Sequence, residues 1–130
     1  MNNPNLETLR VGYEALVAGD LGVVVGLFEE GVRAHVPGRS PVAGDYDGVE
    51  QVVGYVSKLM ELSGGTLRFE THSLMADEEH GVVLINDKAE RPGKSLDTNN
   101  IHVWHLGGGK LKEIWIYPGD LYAWDAFWSD

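Results

Sequence analysis

The chain has 130 residues, the size of one domain with a single core. Its apolar fraction of 43% and charged fraction of 23% are ordinary for a globular protein, but 20 acidic residues stand against 10 basic ones, a formal charge of −10. That charge repels phosphate backbones and anionic bilayers, which argues against nucleic-acid and membrane partners, and the absence of cysteine excludes disulfides, thiolate catalysis and cysteine metal ligands.

The opening MNNPNLETLR lacks the basic start and apolar run of a signal peptide, and no stretch approaches a membrane span, so a soluble, cytoplasmic protein is expected. Asn3 before Pro4 suits an N-cap and first helical residue, and Leu6, Leu9, Tyr13, Leu16 and Val17 then share one helical face as far as Gly19. Asp20 can cap a second, shorter helix burying Leu21, Val24, Leu27 and Phe28 and stopped by Gly31, although Val23-Val24-Val25 also suits a strand. Residues 32–36 alternate as a strand, broken at Pro37-Gly38 because proline has no amide hydrogen for a ladder. A polar loop leads to Asp47-Gly48-Val49-Glu50, spaced as a capping box. Val49, Val52, Val53, Val56, Leu59 and Met60 then recur at helical intervals up to Ser63-Gly64-Gly65.

From Thr66 the period changes to two. Leu67, Phe69, Thr71, Ser73 and Met75 are expected on one strand face, with Thr66, Arg68, Glu70 and His72 on the other. Residues 77–80 make a turn, and residues 81–90 form a strand that is apolar on both faces at first and polar from Asn86 onward. Arg91-Pro92-Gly93-Lys94 signals a turn, with loop up to Thr98, before residues 99–106 and 111–117 pair as a hairpin about Gly107-Gly108-Gly109. Pro118-Gly119 ends that strand, and Asp120 can cap a last short helix bearing Leu121, Trp124, Phe127 and Trp128. Helices grouped ahead of consecutive antiparallel strands argue for one α+β domain over residues 1–130. A curved antiparallel sheet wrapped round the first and third helices makes a cone-shaped half-barrel, open at one end. Its aromatic and apolar lining suits a small-molecule pocket.

The element order and several short motifs resemble the SnoaL-like branch of the nuclear-transport-factor-two-like superfamily, which includes ketosteroid isomerases, limonene epoxide hydrolases and polyketide cyclases. The resemblance lies in Tyr13-Glu14-Ala15-Leu16 with Gly19-Asp20, Leu27-Phe28-Glu29-Glu30, His35-Val36-Pro37-Gly38, Gly44-Asp45-Tyr46-Asp47-Gly48, and Gly109-Lys110-Leu111-Lys112-Glu113 ahead of the aromatic last strand and Asp120. It covers nearly the whole chain and implies the cystatin-like α+β cone. It carries over few catalytic residues. The isomerases' aspartate before a proline at the first strand's end falls here on Val36-Pro37, with His35 one residue earlier. Asn100, His102 and Trp104 occupy the region of the isomerases' neutral acid, and Asp87 and Arg91 lie near the place of the hydrolases' Asp-Arg-Asp set. Asp120 resembles the aspartate that closes the last strand of the cyclases.

Two residues are candidates for proton transfer. His35, at a strand end beside a polar loop, suits general-base chemistry at neutral pH, or it is held structurally by a backbone carbonyl. Asp120 can act as a base, orient His35, or cap the last helix. Candidate ligand contacts are Tyr13, Arg39 in the loop after the first strand, Asn100, His102, Trp104, Trp115 and Tyr117. Alternation places Trp115 and Tyr117 with Leu111 and Glu113, opposite Ile114 and Ile116, without saying which face lines the pocket. His102 and His105 face opposite sides of their strand and cannot chelate one ion, so no metal site is expected. Two functions follow: a noncatalytic domain binding a small apolar or aromatic ligand, or a cofactor-free isomerase, cyclase or hydrolase acting on a carbonyl compound through His35 or Asp120, with Tyr13, Asn100 or His102 on the enolate oxygen. Either form is expected as a homodimer, since the aromatic outer face of a single curved sheet is more easily buried than solvated.

Overall fold

Asn3 starts the first helix by accepting hydrogen bonds from the amides of Asn5 and Leu6, and Gly19, at φ 79°, ends it in the left-handed conformation that glycine adopts without steric cost. The computed structural model describes residues 3–130. Its elements are α1 (Pro4–Ala18), α2 (Leu21–Leu27), β1 (Phe28–Val36), β2 (Gly44–Asp47), α3 (Gly48–Leu62), β3 (Arg68–Ala76), β4 (His80–Arg91), β5 (Lys94–Gly107), β6 (Lys110–Pro118) and α4 (Leu121–Trp128). The strands form one curved, unclosed sheet in the order β2-β1-β6-β5-β4-β3. All neighbours are antiparallel except β1 and β6, which run parallel. This is the expected α+β cone: α1 and α3 lie within the curve of the sheet, and the core is built from their inner faces and one face of the strands. No helix among the described residues is long and apolar enough to cross a membrane.

Several boundaries differ from expectation. Phe28 opens β1 rather than closing α2, and Gly31 lies inside the strand. The valine run does stay helical, capped by the Asp20 carboxylate on the amide of Val23. Residues 44–47 of the expected loop form an edge strand on β1, and residues 94–98 extend β5, pairing as far as Arg91 with Lys94. Pro92-Gly93 is therefore a tight hairpin turn. Asp47 is the N-cap of α3 but makes no capping-box bond there. Its carboxylate meets Arg33 Nε at 3.1 Å, and Gln51 rather than Glu50 reaches back to its amide.

Two bulges reset the facing of the strands. In β3 the pairing slips between Thr71 and Ser73, so Leu74 and Ala76 lie opposite inward residues of β4 while Ser73 and Met75 turn outward. In β6 the slip beside Leu106 inserts Lys112, placing Leu111 on the same buried face as Ile114 and Ile116. Strict alternation had set Leu111 against them. An extra residue in one strand reverses every side chain beyond it.

Candidate functional site

The cone encloses a cavity of about 80 Å³, room for several waters or one small ring, since a water needs about 10–15 Å³. α1 contributes Gly12, Tyr13 and Leu16; α3 contributes Val52, Tyr55, Val56 and Leu59. The sheet adds Phe28, Ala34, Phe69, Asp87, His102, Trp104, Leu111, Ile114 and Ile116, and Trp124 enters from α4. The wall is almost wholly apolar, so its few polar atoms decide what it can hold.

Asp87 is the unexpected one. It follows Val83 and Ile85 on the inward parity of β4 and is 2% exposed. Its Oδ2 accepts from Asn100 Nδ2 at 3.2 Å, and Asn100 Oδ1 accepts from Thr98 Oγ1 at 3.2 Å. Oδ1 has no partner among the described residues. Burial raises the carboxyl to about 7, opposed only in part by the Asn100 hydrogen bond. Tyr55, fully buried, is pushed well above its ordinary value by burial and then by the Asp87 charge. The Trp124 Nε1 donor is also buried and has no partner among the described residues.

A second group of polar atoms lies along the same wall. Tyr13 Oη lies 2.7 Å from His102 Nδ1 and accepts from Trp104 Nε1 at 2.7 Å. Burial lowers His102 to about 4, so the ring is neutral at physiological pH, and raises the Tyr13 hydroxyl far above the phenol range. In the β4–β5 ladder Asp87 faces Thr98 whereas His102 faces Val83, so the two polar groups stand at different levels of the cavity.

The structure places the other candidates outside this cavity. His35 alternates with the inward Ala34 and lies on the outer face. Its Nδ1 is 2.7 Å from Asp45 and its Nε2 2.6 Å from Glu113, with the ring stacked on Trp115. A neutral imidazole has one N–H, so donating to both carboxylates requires the imidazolium. Asp45, then Glu113, raise the pKa accordingly, against partial burial. Asp120 lies at the start of α4, accepting from the amide of Ala123 at 3.0 Å, and is not among the partners of His35. Arg39 donates its amide to the Asp125 carboxylate. Trp115 and Tyr117 are on the outer face, Tyr117 half exposed. Tyr13, His102 and Trp104 come together at the cavity, and Asn100 joins them through Asp87. Among the described residues no three His, Cys, Asp or Glu side chains converge as a metal site.

Sequence reasoning missed Asp87, Tyr55 and Trp124 as parts of this site. Tyr55 shares the helical spacing of Val52 and Leu59, and Asp87 the parity of Val83 and Ile85. A carboxylate in step with core positions is the signal that marks it.

A SnoaL-like domain model matches residues 9–114. An uncharacterised protein of Mycobacterium tuberculosis is 25% identical over 98% of each chain. The solved structure of Bal32a, from a soil-derived mobile gene cassette, is 34% identical, covers 96% of each chain and superposes with a TM-score of 0.91. A Xanthomonas campestris protein of unknown function with a cystatin-like fold superposes at 0.92 with 22% identity, over 99% of this chain and 100% of that one, a likeness of fold. With a family model spanning most of its length and a solved relative matching it nearly end to end, the chain belongs to the SnoaL-like family.

Proposed function

We propose that the cone binds one small, neutral, largely apolar molecule and that the Asp87 carboxyl exchanges a proton with it without a cofactor. The observation carrying this reading is the unpartnered Oδ1 of a buried carboxyl in an apolar wall. A carboxyl raised to about 7 is divided between acid and base near neutral pH, the condition under which one group both takes and returns a proton. The net charge of −10 and the apolar lining disfavour an anionic ligand. A purely binding domain uses the same cavity, with Asp87 as a hydrogen-bond partner alone.

The test is hydrogen–deuterium exchange of 1,4-cyclohexanedione in heavy water, followed by proton NMR. Its ring carbons all lie beside a carbonyl, so its orientation in the cavity is immaterial. Asp87 would take a ring C–H proton, leaving an enolate, exchange that proton for a deuteron of the solvent, and return the deuteron to the carbon. Wild-type protein is expected to accelerate the loss of the ring signal, and Asp87→Asn to reduce that acceleration by roughly 100-fold or more. Equal rates with both proteins would leave the binding domain as the function.

The same reading includes a homodimer. Ile101, Met75 and Tyr117 are exposed on the outer sheet face, with Leu84, Val103 and Trp115 half-buried beside them. A second copy is the occupant we propose for that face.

A further inference from the structure

Tyr13 has one hydroxyl proton and two close partners. Trp104 Nε1 is a donor only, so the 2.7 Å contact fixes the phenol oxygen as its acceptor. The Tyr13 proton then has one destination among the described residues, His102 Nδ1, also at 2.7 Å. With the opposite arrangement, His102 Nδ1–H donating to Tyr13, the phenol would accept twice and its own proton would have no partner, although Tyr13 is only 4% exposed. An unpaired buried donor is costly. The satisfied arrangement therefore runs one way, from Trp104 to Tyr13 to His102, and it leaves Nδ1 bare of hydrogen.

A neutral imidazole without a proton on Nδ1 carries it on Nε2. Nε2 has no hydrogen-bond partner among the described residues, and the His102 ring lines the cavity. Burial keeps the ring neutral, so the alternative of a proton on both nitrogens is disfavoured. The Tyr13 hydroxyl is not the donor a ligand meets, because its only proton is already committed.

We infer that His102 presents Nε2–H to the ligand as a fixed donor, that Trp104 and Tyr13 are positioning residues which lock this tautomer, and that the ligand class is a neutral molecule with an acceptor oxygen such as a ketone or aldehyde. This rests on the reading of the cone as a ligand cavity. It deepens that reading, because the Asp87 carboxyl, divided between acid and base near pH 7, both accepts and donates, while His102 Nε2–H only donates. An alcohol satisfies either group; a ketone oxygen finds a donor in Asp87 only while that carboxyl is protonated, and in the imidazole throughout.

The experiment is long-range nitrogen–proton NMR of the His102 ring, in the free protein and with cyclohexanone or methylenecyclohexane, which has the same shape without the oxygen. The free protein at pH 7 is expected to show a neutral ring protonated on Nε2. Tyr13→Phe, which keeps the ring but removes the hydroxyl, is expected to release the lock and give a mixture of tautomers. Cyclohexanone is expected to shift Nε2 and to bind roughly tenfold more tightly than methylenecyclohexane, the usual effect of leaving one buried donor unpaired. A proton on Nδ1 in the free protein, or a Tyr13→Phe ring that keeps Nε2–H alone, overturns the lock. Equal affinity for the two probes, or a bound ketone that leaves Nε2 unmoved, overturns the assigned ligand class while leaving the cavity reading intact. Binding of neither probe overturns the cavity reading and this inference with it.

Discussion

Because burial raises the Asp87 carboxyl from an ordinary value near 3.8 to about 7, the native state holds a proton between those values that the unfolded chain has released. The Asp87 contribution to stability therefore falls as pH rises from about 4 to about 7 and levels off above, by an amount on the order of 4 kcal/mol for about three pH units. His35 has the opposite charge type but the same direction. Its raised pKa contributes stability that is complete below the unfolded value of 6.5 and is lost as pH rises through the folded value. The two are separable by substitution. Urea unfolding of wild type and Asp87→Asn at pH 5 and pH 8 is expected to show a loss about 2–3 kcal/mol smaller in the variant, since the His35 loss and the opposing gain from His102, whose lowered pKa favours the folded state as pH rises, are common to both proteins. Parallel losses in both proteins would contradict a buried, proton-binding Asp87. Parity in the sequence groups His102 with Trp104 but does not say which face of the strand lines the cavity; in the structure both turn inward, beside Tyr13. His35 stands one residue before the Val36-Pro37 position of the resemblance, and that one-residue step turns it outward, since Ala34 and Val36 take the inward positions on β1.

Between the elements, α4 closes the cone by burying Trp124, Phe127 and Trp128 in the core, and polar groups hold its two ends. Asp120 caps its start, and Arg91 and Lys94 of the β4–β5 hairpin donate to the carbonyls of Ala126, Phe127 and Ser129 at its end. Such cations also complement the negative end of the helix dipole. Gly119 sets the path from β6 into α4: a Cβ there would lie 2.2 Å from the Asn99 carbonyl oxygen, a backbone atom that cannot swing aside. Gly119→Ala is expected to cost about 2 kcal/mol or more in chemical denaturation. Gly31→Ala, whose Cβ would meet nothing within 4 Å, is expected to stay within about 1 kcal/mol of wild type. Equal effects would mean that the Gly119 passage relaxes freely. Helix caps at Asn3, Asp20 and Asp120 were readable because a short polar side chain before an apolar run has one local use. The bulges in β3 and β6 were not, because nothing in the local sequence distinguishes an extra residue from one that keeps the ladder in step.

Across the protein, the order of helices and strands and their periods were enough to foresee a cone, since an antiparallel sheet with one apolar face curves round the helices it buries. The strand order was not foreseeable. The parallel pairing of β1 with β6 joins residues about 80 positions apart, such as Ala34 with Ile114, and has no local signature. The outer face of the sheet carries the homodimer prediction. Sedimentation at micromolar concentration is expected to show a dimer, and Ile101→Lys a monomer that still binds ring ketones in the cone. A monomeric wild-type protein would contradict the proposed interface.

Proton exchange in the cone rests on the buried Asp87 carboxyl, and the measurement that reaches it most directly is the titration of its carboxyl carbon by NMR, with and without 1,4-cyclohexanedione. We expect a midpoint near 7 in the free protein, displaced when the dione binds. A midpoint near 4, unmoved by the dione, would mean that water reaches Asp87 and that the cone holds no poised acid–base group.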